Sequence, residues 1–361
     1  MFNKLPWLTL LELTMRRFNM FVGGSLKILF GTKFVPRVSI LWVIGTLCFG
    51  PSAWSQVTHV VLVSFDGLRS DAIHRFENQT LPHFHQLLKE GACTLNARTD
   101  VDYTVTLPNH TCMLTGRRVT GPHGHRVLLN DIITQTVHEL NGAYVDSIFD
   151  VLHRHQLTSA MAASKIKFKI YANSYPIDHV QVTDQNDAKT VQFALQQLES
   201  DHPPAFMLVH FSNPDIIGHK KGWSIQAAAF YIKAVVRLDG YLAQLMQAIQ
   251  TLNDKNEPTV LIVTTDHGGT GKNHFDPNEK RNYTIPFLVW GQGIAAGKDL
   301  YTLNPKDRAD PGTKQILYDA STQPIRNGDA ANLALQLLGL ECVPGSTIGC
   351  VPGLVVRERG K

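Results

Sequence analysis

The sequence is short of cysteine, of long apolar runs and of net charge. Its 361 residues hold five cysteines, none in a CxxC pair. That excludes a disulfide scaffold and the paired thiolates of a structural zinc site. The apolar run at 38–50, VSILWVIGTLCFG, falls short of the ~20 residues of a comfortable transmembrane helix. No repeat, Pro/Ser linker or low-complexity block interrupts residues 56–361, which read as a single domain. With 43% hydrophobic and 18% charged residues, the chain is neither disordered, collagen-like nor coiled-coil. The formal charge is +4, a mild excess that at face value points to anionic partners such as nucleic acid.

That excess is local. Residues 1–55 carry six basic residues and one acidic, so residues 56–361 have a formal charge of −1. The charge balance therefore gives no case for specific nucleic-acid binding. A positive flank, the apolar run and a small-x-small site at Ala53-Trp54-Ser55 describe a secretory signal peptide. The expectation is an exported protein, periplasmic or secreted, with no stable membrane span; an uncleaved N-terminal anchor is the alternative.

From residue 56 onward the texture is α/β. HVVLVSF (59–65), PAFMLVHF (204–211), TVLIVTTDHGG (259–269) and IPFLVWG (285–291) are continuous apolar runs, the form of strands buried on both faces of a parallel sheet. Helical patterns lie between them, as in DAKTVQFALQQLES and DAANLALQLLGL. The fold class expected is α/β, a mostly parallel central sheet sandwiched by helices.

Ligands of open α/β sheets gather at the carboxyl ends of strands, and three runs end in metal-binding residue types. The first ends in Asp66-Gly67, the second leads to Asp215 with His219 four residues on, and the third ends in Asp266-His267 with His274 shortly after. An Asp-Gly after a strand is by itself an ordinary turn, and a lone histidine is usually a satisfied polar group. Buried carboxylates are costly without partners, so their joint occurrence favours a metal site. Three carboxylates and three imidazoles suit zinc or manganese. The set exceeds one tetrahedral ion and fits two divalent ions clamping a phosphoryl transfer. The segment TVTLPNHTCMLTG (104–116) adds a nucleophile. Pro108 suits a first helical turn and Gly116 a stop, so Thr106 sits at a helix N-terminus that favours an anion. Without the metal residues, an N-cap threonine would be the default. Thr104 is a second, less well placed hydroxyl.

The motifs VSFDGLRSD, TLPNHTCMLTGR, NPDIIGH, TTDHGGTGKNH and IPFLVWGQGI resemble the alkaline phosphatase superfamily, most closely its type I phosphodiesterase/nucleotide pyrophosphatase branch. The resemblance spans roughly residues 58–350. It implies that Asp66, Thr106, Asp266 and His267 hold one zinc, and that Asp215, His219 and His274 hold the other. It implies Thr106 as nucleophile through a covalent phospho-threonine, and Asn130 as the group that binds the phosphoryl oxygen, at a slightly longer spacing than usual. A long insertion that in the branch separates the Asp-His pair from the last ligand is missing, with six residues between His267 and His274.

The function expected is thus a two-metal phosphodiesterase/nucleotide pyrophosphatase acting on a small phosphate ester or diester. The alternatives are a phosphomonoesterase, with Arg117, Arg118 or Lys165 meeting the extra charge, and a secreted metal-binding protein without catalysis. Cys342 and Cys350 are expected to pair, and Cys93 with Cys112 could form a second bridge. His123 and His125 read as exposed loop residues, and Phe65 and Trp223 as core or rim packing, or as platforms for a base.

Overall fold

The computed structural model describes residues 56–358 apart from Asn78, so the expected signal peptide lies outside the described residues. Eight strands are β1 (His59–Phe65), β2 (Ala92–Arg98), β3 (Ser159–Ala163), β4 (His179–Val182), β5 (Phe206–Phe211), β6 (Thr259–Thr264), β7 (Thr284–Gly291) and β8 (Lys298–Asp299). They form one sheet in the order β4-β3-β5-β1-β6-β7-β2-β8. β4, β3, β5, β1 and β6 run parallel. β7 runs against both β6 and β2.

Alternation along β1 explains why its sequence is apolar throughout. Val60 and Leu62 join one core cluster, with Leu107, Met113, Phe149 and Leu333. Val61, Val63 and Phe65 join the other, with Phe84, Leu242 and Leu245. Period-2 geometry sends successive side chains to opposite faces, and helices cover both faces, so every position must be apolar. The helices Pro82–Glu90, Asp187–Leu198 and Phe230–Asp254 cover one face. Thr106–Thr115, Ile148–Arg154 and Asp329–Leu338 cover the other.

Two differences from the sequence reading concern strands. β7, read as one of the parallel runs, is antiparallel. Burial on both faces fixes an apolar run but carries no information about direction. β2, β3 and β4 escaped the reading. β3 is SAMAA, five buried residues with little apolar bulk, and β4 is four partly exposed residues at the sheet edge.

Candidate active site

β1 lies between β5 and β6, and the carboxyl ends of these three neighbours deliver the expected acids. Asp66 follows β1. Gly67 after it has φ +73°, and an added Cβ would stand 3.1 Å from the Asp215 Cα. Glycine is therefore required both for the turn and for the close approach. β5 leads into the helix Asn213–Lys221, with a proline in its first turn. Asp215 and His219, spaced i and i+4, share one face of that helix. β6 leads to Asp266 and His267, and a tight loop bridged at Thr270 and Asn273 returns the chain to His274.

The glycines of NPDIIGH and DHGG have a common cause. A Cβ on Gly218 would lie 2.2 Å from the Trp223 indole, and one on Gly269 would lie 2.3 Å from it. The buried indole therefore packs against backbone on both sides, and its Nε1–H donates to the Gly67 carbonyl at 2.9 Å. One side chain thus touches all three ligand-bearing strand ends. Trp223 is a core residue here and not a platform for a base.

The six residues gather as two groups, Asp66–Asp266–His267 and Asp215–His219–His274, each with its ligand atoms within 4.8 Å of one another. In the first, His267 Nε2 is 3.2 Å from Asp266 Oδ2 and 3.6 Å from Asp66 Oδ1. In the second, His219 Nε2 is 3.1 Å from His274 Nε2 and 3.3 Å from Asp215 Oδ1, with His274 Nε2 3.6 Å from the same oxygen. Zinc bonds of 2.0–2.1 Å in a tetrahedron separate neighbouring ligand atoms by about 3.3 Å.

The donor atoms are also left free in the right way. His219, His267 and His274 each give Nδ1–H to a backbone carbonyl, of Lys272, Gly268 and Thr104 respectively. That fixes the tautomer and leaves Nε2 as a lone pair, the usual arrangement behind a metal-binding imidazole. Each carboxylate has one supported oxygen and one bare one. Asp66 Oδ2 accepts from Lys165 and His210, Asp215 Oδ2 from Lys165, and Asp266 Oδ1 from the Gly67 and His267 backbone N–H groups. The opposite oxygens, Asp66 Oδ1, Asp215 Oδ1 and Asp266 Oδ2, are buried without a hydrogen-bond partner, as is His267 Nε2. Four orphaned atoms in one place are costly unless something binds them. The donor set fits two divalent cations.

Burial pushes the Asp66 carboxyl up, but Lys165, His210 and His267 outweigh it and hold it well below the usual carboxylate range. Asp215 is likewise raised by burial and lowered further by Lys165, with a net fall. Asp266 moves up, through burial and the neighbouring Asp66 charge. Burial, then His267, brings His274 down to about 2, which keeps its imidazole neutral. The partly exposed His219 is raised by the adjacent Asp215 carboxylate.

Thr106 is buried at the first position of the helix Thr106–Thr115, with Val105 as an extended N-cap and Gly116 as a left-handed C-cap. Asn130 reaches the same helix end despite its longer spacing, its Oδ1 accepting the Leu107 N–H at 3.0 Å. Lys165 Nζ lies 3.4 Å from Thr106 Oγ1 and 2.7 Å from both Asp66 Oδ2 and Asp215 Oδ2. His110, in the same helix, is buried beneath Thr106. Its Nδ1 donates to the Thr106 carbonyl and its Nε2 accepts from Ser64 Oγ, both at 2.8 Å. The sequence reading missed His210, hidden in an apolar strand, and Lys167, whose Nζ contacts Asn130 Oδ1 at 3.2 Å. A Lys-x-Lys just beyond β3 was the available signal for Lys167.

Other residues fall elsewhere. Arg117 donates to the Pro344 carbonyl and Arg118 lies over the Tyr318 ring, so neither joins the site. The Thr104 hydroxyl donates to the His274 carbonyl. Phe65 is core, stacked on Phe211. His123 is exposed, but His125 is buried against Cys112 Sγ and is not a loop-surface residue. Cys342 and Cys350 are bonded, whereas Cys93 and Cys112 are free thiols in the core.

The family described as type I phosphodiesterase / nucleotide pyrophosphatase matches residues 60–318. Human ectonucleotide pyrophosphatase/phosphodiesterase family member 5 is 25% identical over 228 residues, covering 58% of this chain and 45% of that protein. Mouse bis(5'-adenosyl)-triphosphatase enpp4 is 24% identical over 252 residues, covering 64% and 51%. The chain thus spans about half the length of the curated relatives it matches. An inactive variant of murine ectonucleotide pyrophosphatase/phosphodiesterase 5 in complex with AMP shares the fold, with a TM-score of 0.58 at 15% identity over 80% of this chain and 96% of that one. With the family's match running from β1 through β7 and beyond, the chain belongs to the type I phosphodiesterase / nucleotide pyrophosphatase family.

Proposed function

We propose that the protein hydrolyses phosphoric ester bonds with two divalent ions, zinc or manganese, and Thr106 as nucleophile. The observation that carries this reading is a buried threonine hydroxyl at a helix N-terminus, beside two three-donor groups whose free atoms have metal-ligand spacing. Asp66, Asp266 and His267, with Thr106, would hold one ion; Asp215, His219 and His274 would hold the other. Such ions supply Lewis acidity and charge neutralisation at phosphoryl oxygens and ease deprotonation of a bound hydroxyl.

The chain's own residues do the rest. Thr106 Oγ forms a bond to phosphorus as the ester P–O bond on the far side breaks, and the alcohol departs. Water then cleaves the phospho-threonine and restores the hydroxyl. The positive end of the helix and the Asn130 amide N–H groups would meet the phosphoryl oxygens, where fixed donors lower the barrier. The bond is a diester or pyrophosphate in the reading that follows the family's description, and a monoester in the alternative.

Replacing Thr106 by alanine should lower turnover of p-nitrophenyl phosphate esters at least 10³-fold without loss of bound metal. Undiminished turnover would remove Thr106 from the mechanism. A protein that binds both metals yet hydrolyses no phosphate ester would be the non-catalytic binding protein instead.

We also propose that residues 56–361 form one exported catalytic domain. The bonded Cys342–Cys350 pair supports this, because such bonds persist in oxidising compartments. N-terminal sequencing of protein recovered outside the cytoplasm would test it.

A further inference from the structure

One lysine touches the nucleophile and a second touches Asn130. Lys165 follows β3, the strand beyond β5, and its side chain is only 12% exposed. Its Nζ bridges Asp66 Oδ2 and Asp215 Oδ2, one carboxylate from each donor group, and stands 3.4 Å from Thr106 Oγ1. Those two oxygens are not the bare ones. The atoms left without a partner are Asp66 Oδ1 and Asp215 Oδ1, so ions held through them would leave the ammonium its own two oxygens. Lys167, two residues on, holds Asn130 through its backbone carbonyl and Oδ1. Asn130 Oδ1 in turn accepts the Leu107 N–H at the start of the nucleophile's helix, so Lys167 reaches the site through Asn130.

Charge decides what such a site accepts. Three carboxylates and a Thr106 alkoxide balance the four positive charges of two divalent ions. Without the lysines the site would be neutral, a fair match for a diester with one negative charge. Two lysines leave an excess of two positive charges. A phosphomonoester is close to a dianion at neutral pH, since its second pKa is about 6. A phosphoryl oxygen bonded to the same phosphorus as Thr106 Oγ comes within hydrogen-bond reach of a cation 3.4 Å from that Oγ.

We propose that Lys165 and Lys167 make this a site for terminal, dianionic phosphoryl groups, with Lys165 and Lys167 as the residues that select monoesters over diesters. The inference rests on the proposed Thr106 reaction. Arginine is absent from this position and the two cations are lysines, compact point charges that fit between carboxylates where a planar fork would not.

The test uses the full chain loaded with zinc, assayed on p-nitrophenyl phosphate and bis-p-nitrophenyl phosphate. The parent should prefer the monoester in kcat/KM. Lys165→Met and Lys167→Met should each cut monoester kcat/KM about tenfold to hundredfold, the size of a lost charge-assisted hydrogen bond. The diester rate should fall at least tenfold less. Inorganic phosphate, titrated by calorimetry, should bind each variant at least tenfold more weakly. If Lys165→Met loses metal, Lys167→Met with its metal intact carries the test. Parallel loss on both esters, or unchanged phosphate binding, overturns the lysine assignment and leaves the Thr106 reaction standing. A Thr106→Ala protein that hydrolyses as fast as the parent overturns that reaction instead, and the phosphate titration then still reports on the lysines.

Discussion

His267 and His274 stack face to face, with ring centroids 3.5 Å apart and planes 7° from parallel, although each belongs to a different donor group. The tight 268–273 loop makes this possible, because six residues return the chain to the end of β6 where a longer segment would have to fold back. The stack ties the two groups together.

Metal titration should reflect that arrangement. Chelated protein should take up two equivalents of zinc, and the loaded form should melt about 5–10 °C higher at saturating metal. His219→Ala should lose one equivalent and keep the other, measured by elemental analysis. His274→Ala should weaken both, because it also removes the ring packed on His267. Uptake of a single equivalent by the parent would contradict the two-group reading.

Asn130→Ala should lower kcat/KM about 10²–10³-fold, the range found on removing one fixed donor to a developing oxyanion. Zinc content should stay unchanged. A matching loss of metal would mean that Asn130 supports the helix end and does not meet the substrate.

Gly218→Ala should be severe. Its Cβ would stand 2.2 Å from the Trp223 indole, so the ring or the helix must move. Overpacking costs about 1–3 kcal/mol, readable as a lower denaturation midpoint. The same shift disturbs His219 one residue on, so zinc affinity at that group should fall as well.

Asp239→Ala tests the fold away from the site. The helix Pro82–Glu90 receives no side-chain cap from its own N-cap residue Leu81. Buried Asp239, on the helix Phe230–Asp254, instead accepts the His83 and Phe84 N–H groups at 3.0 and 2.9 Å, and contacts His83 Nδ1 at 2.8 Å. Its loss should cost about 1–3 kcal/mol in chemical denaturation, with zinc stoichiometry unaffected.

Replacing Cys342 and Cys350 with serine should lower stability by about 2–4 kcal/mol, and intact parent protein should show one bridged pair by mass spectrometry after alkylation. Cys93 and Cys112 should stay inert to reagent until unfolding. Burial pushes the Cys93 thiol up to about 12 and raises Cys112 well above its ordinary value.

The central strands and the ligands they carry were legible in the sequence because burial on both faces leaves a continuous apolar run, and a carboxylate at its end breaks that run abruptly. Direction was not legible, as β7 shows. The alanine-rich β3 was invisible for want of apolar bulk, and with it went the placement of Lys165 beside Thr106 and of Lys167 beside Asn130. His210 was silent for a related reason: a histidine inside an apolar strand gives no local sign of an Asp66 oxygen across the sheet. Contacts between residues far apart in sequence, such as Trp223 against Gly218, Gly269 and Gly67, need the fold before they can be read.

Asp66, Asp215 and Asp266 stand at or just beyond the ends of three adjacent hydrogen-bonded strands. Neighbouring strands are locked about 4.8 Å apart. The spacing of Asp66 and Asp266 is therefore set by the backbone ladder as well as by side-chain choice. Loops and flanking helices can then change which molecule is cleaved, while the ruler beneath them stays the same length.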